Sequence, residues 1–220
     1  AAAGAAAAGS ARARPRITSH FATPIYRRRL RSKSSDIDSL NQELALEALQ
    51  FLDLDEAGQR WSEKNYRGGY TSFTTFRALH RVSSTFRRLE CWADSHVRAF
   101  ASYLDFGSAK DLVMTDCWVN VMSQDAAHGL HLHPSATISG TYYVQTPPGC
   151  PGIRFEDPRL DRMMAAPSRH RNARRGNQQE MKFPVEAGDI VLFESWLRHS
   201  VAANPVEADR ISVSFNYHWC

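Results

Sequence analysis

Nine histidines are spread through this 220-residue chain, and two of them, in His131-Leu132-His133-Pro134, stand two residues apart. On an extended strand that spacing turns both imidazoles to one side of the backbone. A third imidazole, His199, comes 66 residues after His133, and Arg210 comes 11 residues later in Arg210-Ile211-Ser212. Imidazole suits Fe, Zn, Cu and Ni, so His131, His133 and His199 can form one face of a metal centre. Three ligands on one face leave three octahedral positions free, two for a chelating co-substrate and one for dioxygen. Arg210 and Ser212 share a strand face. A guanidinium with a neighbouring hydroxyl clamps a carboxylate through charge-assisted hydrogen bonds. Each half of the pattern also has a plainer reading: two surface histidines before a proline turn, and a rim salt bridge on an edge strand. Their ordered combination favours a metal with an anionic co-substrate beside it.

The elements that must position these residues show in the periodicity. Residues 36–54 predict a helix, with Ile37, Leu40, Leu44 and Ala48 at spacings of three and four and Gly58 placed to stop it. Residues 62–72, rich in Gly, Tyr, Asn and Arg, read as a loop turning at Gly68-Gly69. A second helix is expected over 85–104, with a face of Phe86, Leu89, Trp92, His96, Phe100, Tyr103 and Leu104. His96 on that face reads as a packed core residue and not a ligand. From Leu112 the pattern changes, and 113–122, 138–145, 153–156, 181–185, 189–193 and 210–219 read as strands. His199 follows the fifth of these after a short turn, near a strand end. Helices followed by many short strands give an all-β sandwich or barrel with helices packed outside. Residues 158–182 hold six Arg and Lys182 against two acids, a long basic loop that reads as a lid, an anion contact or a solvated segment.

Composition narrows the class. At 43% apolar residues, the chain can build a sizeable core, and no stretch has the roughly 20 apolar residues of a membrane span. The four cysteines show no CxxC spacing and fit a soluble protein with free thiols in a reducing intracellular compartment. The net charge of +4 comes from the N-terminus: residues 1–35 carry eight of the 27 Lys and Arg and no acid, leaving 36–220 with 19 basic and 23 acidic residues. Bulk charge therefore gives no case for nucleic acid. The Ala-rich, acid-free start resembles an organellar transit peptide or its remnant, and reads equally as an expression scar or disordered leader. The expected organisation is a leader over 1–20 and one domain over 21–220.

Longer motifs sharpen this reading. They are Phe21-Ala-Thr-Pro-Ile-Tyr26, Tyr66-Arg-Gly-Gly-Tyr-Thr-Ser72, Trp118-Val-Asn120, His131-Leu-His-Pro134 running into Ile138-Ser-Gly-Thr-Tyr-Tyr-Val144, Phe155-Glu-Asp-Pro-Arg159, Gly188-Asp-Ile-Val-Leu-Phe-Glu-Ser-Trp-Leu-Arg-His199 and Arg210-Ile-Ser-Val-Ser-Phe-Asn216. With them the chain resembles a small family of 2-oxoglutarate/Fe(II) oxygenases of the double-stranded β-helix superfamily, over residues 20–219. The resemblance implies a mainly β, jelly-roll/cupin-like core with the N-terminal helices packed outside. It implies iron at His131, His133 and His199 and the 2-oxoglutarate carboxylate at Arg210 and Ser212. Asn120 and Tyr142, on strands of the same sheet region, are added to that pocket. The implied activity is a dioxygenase that hydroxylates a small-molecule or protein substrate, with Fe(II), 2-oxoglutarate and, optionally, ascorbate. No nucleic-acid or membrane partner is expected, and a homodimer is left open.

One departure stands out. The wider superfamily commonly uses two histidines and a carboxylate, whereas here the middle position is His133. Three neutral imidazoles leave the full metal charge to be offset by 2-oxoglutarate, and the site could favour another metal or have lost turnover. Asp125, Glu156 and Asp157 are the carboxylates nearby in sequence. Two other readings stay open: a three-histidine dioxygenase of cupin type that does not use 2-oxoglutarate, and a non-catalytic jelly-roll assembly or adaptor protein.

Overall fold

The structure is a computed structural model and describes residues 16–29 and 34–220. Most of the expected leader lies outside the described residues. Strand β1 (Tyr26–Arg29) precedes helices α1 (Ser34–Leu54) and α2 (Glu56–Asn65), strand β2 (Gly69–Thr71), and helices α3 (Leu79–Val82) and α4 (Ser84–Tyr103). Then come β3 (Leu112–Met122), β4 (His128–His131), β5 (Ile138–Gln145), β6 (Ile153–Glu156), β7 (Glu180–Phe183), β8 (Asp189–Glu194), β9 (His199–Val201) and β10 (Arg210–Trp219). The strands form two antiparallel sheets, ordered β1-β8-β5-β10-β3-β2 and β4-β9-β6-β7.

Strand alternation gives the larger sheet two faces. Ile211, Val213, Phe215 and Tyr217 of β10, Val119 and Val121 of β3, Tyr142 and Val144 of β5, and Ile190 and Leu192 of β8 share one core with Leu40, Leu44, Phe86, Leu89 and Phe100 of the helices. Each such buried side chain contributes roughly 1.5–3 kcal/mol. The intervening residues Tyr143, Val191 and Phe193 pack instead with Ile153 and Phe155 of the smaller sheet. The site lies on this inner face.

The expected helix over 36–54 is present as α1, with Ile37, Leu40, Leu44 and Ala48 buried. Gly58 does not end it. Asp55 caps a new helix instead, its carboxylate accepting from the Gly58 N–H at 2.9 Å. Helix α2 buries only Gly58 and Ser62 and so has no apolar stripe to read in the sequence. Asp55 also accepts from Tyr70 and Thr75, which ties α2 to β2. In α4 the buried face runs through Ala93 and Val97, while Trp92 and His96 flank it and Tyr103 is exposed. His96 accepts or donates at Nδ1 with the Tyr26 hydroxyl at 2.8 Å, a packing role that ties α4 to β1. Pro184 follows directly on β7, which ends at Phe183 and not at 185.

Candidate active site

Strands β4 and β9 pair with His131 directly opposite His199. His133 lies two residues beyond the end of β4, held by its N–H to the Ser195 carbonyl at 3.0 Å. The spacing of two keeps its ring roughly parallel to that of His131, at 5.5 Å between centroids. One ligand nitrogen from each of His131, His133 and His199 falls within 4.8 Å of the other two, an arrangement able to hold a metal ion. Asp125, Glu156 and Asp157 stay outside this group: Glu156 pairs with Arg198 at 3.2 Å and Asp157 with Arg159 at 2.8 Å.

The other ring nitrogens fix the tautomers. Nδ1 of His131 is 2.8 Å from the Gly129 carbonyl, and Nδ1 of His199 is 2.9 Å from the Leu197 carbonyl. A carbonyl only accepts, so each Nδ1 carries the proton and each Nε2 keeps a lone pair. Nδ1 of His133 meets Asn216 Oδ1 at 2.6 Å. Asn216 cannot turn its amide round, because its Nδ2 donates to Asp116 at 3.3 Å and its Oδ1 also accepts from Ser139 at 2.8 Å. Such outer partners orient a ligand and raise its basicity. Burial lowers all three imidazoles below their ordinary value, His133 to about 4 and His199 to about 2. They are therefore neutral near pH 7, as metal ligands must be.

Behind the cluster lies a narrow inner pocket lined by Asn120, Tyr143, His199, Arg210 and Ser212, among others. Arg210 is fully buried. Its Nε donates to the Pro151 carbonyl at 3.0 Å, Nη1 lies 3.4 Å from Ser212 Oγ, and the guanidinium sits over the Tyr143 ring at 5.0 Å. No acid pairs with it among the described residues. A buried cation without a counter-charge is costly, and an anionic ligand would relieve that cost. Among the described residues, two buried polar atoms lining the same pocket, Tyr66 Oη and Asn120 Oδ1, also lack partners, and the Tyr143 hydroxyl faces Arg210. Burial pushes the Tyr143 hydroxyl up to about 12, so it stays a donor. The donor set therefore fits a dicarboxylate reaching from the three imidazoles to Arg210.

In front of the cluster an open cleft of about 650 Å³ is lined by Trp61, Phe73 and Trp118. Tyr66, Trp118, His128, His131 and His133 line both spaces, so the imidazoles form the partition between them.

Of the residues singled out in the sequence, His131, His133, His199, Arg210, Ser212 and Asn120 meet around this partition. Tyr142 does not. Its side chain points to the helix-covered face, and its hydroxyl donates to Asn41 of α1 at 2.7 Å. The period of two puts Tyr143, not Tyr142, on the site face with Thr141 and Ser139. The same alternation in Arg210, Ser212, Ser214 and Asn216 would have found Asn216. His128 had no such signal: a register irregularity between His128 and His131 brings their rings to 4.1 Å despite the odd spacing. Tyr66 is held by its loop. Gly68 has a positive φ of 75°, and a Cβ on Gly69 would lie 2.8 Å from the Tyr66 ring.

Two facing antiparallel sheets, with three imidazoles and a buried arginine between them, form a double-stranded β-helix. Residues 116–216, a little under half of the chain, match the family model described as "Putative 2OG-Fe(II) oxygenase", a family that uses Fe(II) and 2-oxoglutarate. No match was found among curated proteins. Among solved structures, a Pseudomonas putida prolyl-4-hydroxylase is 15% identical with a TM-score of 0.59, over 90% of this chain and 94% of that one. HygX from Streptomyces hygroscopicus, with nickel, 2-oxoglutarate and hygromycin B bound, is 16% identical with a TM-score of 0.57, over 89% and 83%. The non-heme alpha ketoglutarate dependent epimerase SnoN from nogalamycin biosynthesis is 20% identical with a TM-score of 0.56, over 82% and 72%. At these identities the likeness is one of fold. Among the described residues no helix is long and apolar enough to cross a membrane.

Proposed function

We propose that the protein is a 2-oxoglutarate-dependent hydroxylase with Fe(II) held by Nε2 of His131, His133 and His199. Arg210 and Ser212 take the far carboxylate of 2-oxoglutarate, with the Tyr66 and Tyr143 hydroxyls as further donors and Asn120 beside them. The observation that carries this reading is the buried Arg210 guanidinium, which has no acid partner among the described residues and lines the pocket behind the imidazoles. A three-histidine dioxygenase that uses no 2-oxoglutarate would leave that charge without a purpose. A solved structure of the same fold, HygX, is described with nickel and 2-oxoglutarate bound, which fits a pocket that takes both.

Bound there, Fe(II) with 2-oxoglutarate and dioxygen supplies the oxidant for a C–H bond, yielding succinate and CO2. The protein's own residues supply position. The Gly129 and Leu197 carbonyls and Asn216 hold the imidazoles in one tautomer, ready to bind without reorganisation. Arg210 offsets the co-substrate's distal charge and fixes its length along the pocket. In keeping with the three-histidine expectation, among the described residues the carboxylate common in the wider superfamily is not part of the cluster. Asp116 stands behind it instead, joined to His133 through Asn216. The test is Fe(II)-dependent succinate formation from 2-oxoglutarate, with ascorbate, by wild-type protein and by His133→Ala and His133→Asp. Wild type should release succinate, His133→Ala should not, and His133→Asp should retain iron. Wild-type protein that is folded and iron-loaded yet forms no succinate would refute the proposal.

A further inference from the structure

The open cleft in front of the imidazoles has a lining that points to the substrate's chemistry. Its volume of about 650 Å³ is that of a small-molecule site. Trp61 of α2, Phe73 of the segment after β2, and Trp118 of β3 form its apolar walls. Phe73 and Trp118 meet edge to face at 4.9 Å, and Trp118 leans on the His133 ring at 5.6 Å. Trp61 and Phe73 are 38% and 39% exposed, so aromatic surface faces open space inside a concave site.

Arg77 and Arg81 also line the cleft. The acid that lines it with them, Asp116, is engaged: it accepts from Thr115 Oγ1 at 3.1 Å and Asn216 Nδ2 at 3.3 Å, with Arg77 Nε at 3.9 Å. Arg81 forms no ion pair among the described residues. The cleft thus combines imidazole ligands, aromatic walls and a cationic rim. Aromatic faces favour a flat ring, and a guanidinium favours a carboxylate, sulfonate or phosphate.

We propose that the substrate is a small molecule with a flat ring body and one anionic group. The ring lies along Trp61, Phe73 and Trp118, and the anion is taken by Arg81 with Arg77. A C–H of the body is thereby presented at His131 and His133. This deepens the reading of the three imidazoles as the reaction centre and rests on it.

The test uses two probes with the same ring body, 8-anilinonaphthalene-1-sulfonate and its neutral counterpart N-phenyl-1-naphthylamine. Each is titrated anaerobically into protein loaded with Fe(II) and 2-oxoglutarate, following tryptophan quenching and the visible band of the iron chelate. The sulfonate should bind about tenfold to a hundredfold more tightly, as one charge-assisted contact allows, and should shift the band. Arg81→Glu should remove that preference and leave the neutral probe unchanged. Trp61→Ala should weaken both. Equal affinities in wild type, or an undiminished sulfonate affinity in Arg81→Glu, would overturn the inference while the chelate band still upheld the oxygenase. Discrimination between the probes in a protein with no chelate band would overturn the oxygenase reading, and with it the cleft's role as a substrate site.

Discussion

The two faces of β10 follow opposite rules. Toward the helices, Ile211, Val213, Phe215 and Tyr217 fill an apolar core. Tyr217, the polar one of the four, has its hydroxyl bonded to Asp94 at 2.8 Å. Toward the smaller sheet, Arg210, Ser212, Ser214 and Asn216 line or border a pocket in which a guanidinium has no acid partner among the described residues. Beside them, the Tyr66 hydroxyl has no partner among the described residues. One face is complete without a ligand and the other is not. A single-residue alternation on one strand thus separates apolar packing from a polar, pocket-lining face.

The largest effect that sharpens this contrast belongs to the metal. His199→Ala removes a proposed ligand from the site face and should lower metal affinity well beyond the roughly 10–100-fold cost of losing an outer partner, measured by calorimetric titration and metal content after dialysis. On the other face, Phe215→Ala should cost about 3–5 kcal/mol of stability by urea unfolding and leave the folded protein's metal affinity unchanged. If it lowered metal affinity as much as His199→Ala, the two faces would not be independent. Asn216→Ala comes next: it frees His133 Nδ1 and should weaken metal binding by roughly 10–100-fold, with the urea midpoint moving less than for Phe215→Ala.

The smallest effect concerns pH and the edge of the sheet. Burial raises the Asp189 carboxyl, but bonds from Arg29, the Glu186 N–H and Arg27 outweigh it and hold the group below its ordinary value. A depressed folded value stabilises above the unfolded value, about 3.9, and that stability is lost as pH falls through the folded value. Asp189→Asn should therefore be less stable than wild type at pH 7, with the two urea midpoints converging below about pH 4. Curves that stayed parallel would show that the Arg27 and Arg29 contacts add nothing.

Much of this contrast was legible in the sequence, because strand alternation is a strong signal where one face is apolar and the other polar. β3, β5, β6, β8 and β10 were expected close to their observed bounds. That His131, His133 and His199 come together, with Arg210 and Ser212 in the adjoining pocket, was legible from residue type and spacing. Tyr142 was misplaced because two adjacent tyrosines are equivalent by composition, and only the register with Thr141 and Ser139 separates them. Helix α2 was missed because it is polar all round, and β4 and β9 because four- and three-residue strands carry almost no period. His128 and Asp116 belong to contacts made by a register irregularity and by a cross-strand amide, which one-dimensional spacing does not encode.

The central claim is that the pocket behind the imidazoles is built for a dicarboxylate held between metal and Arg210. Anaerobic titration of 2-oxoglutarate into the Fe(II)-loaded protein, following the weak visible charge-transfer band of the chelate, tests it most directly. Wild type should develop the band saturably, and Arg210→Ala should need about tenfold to a hundredfold more 2-oxoglutarate to reach it, with iron content unchanged. A folded, iron-loaded wild type that gives no band, or an Arg210→Ala variant that saturates at the wild-type concentration, would contradict the account.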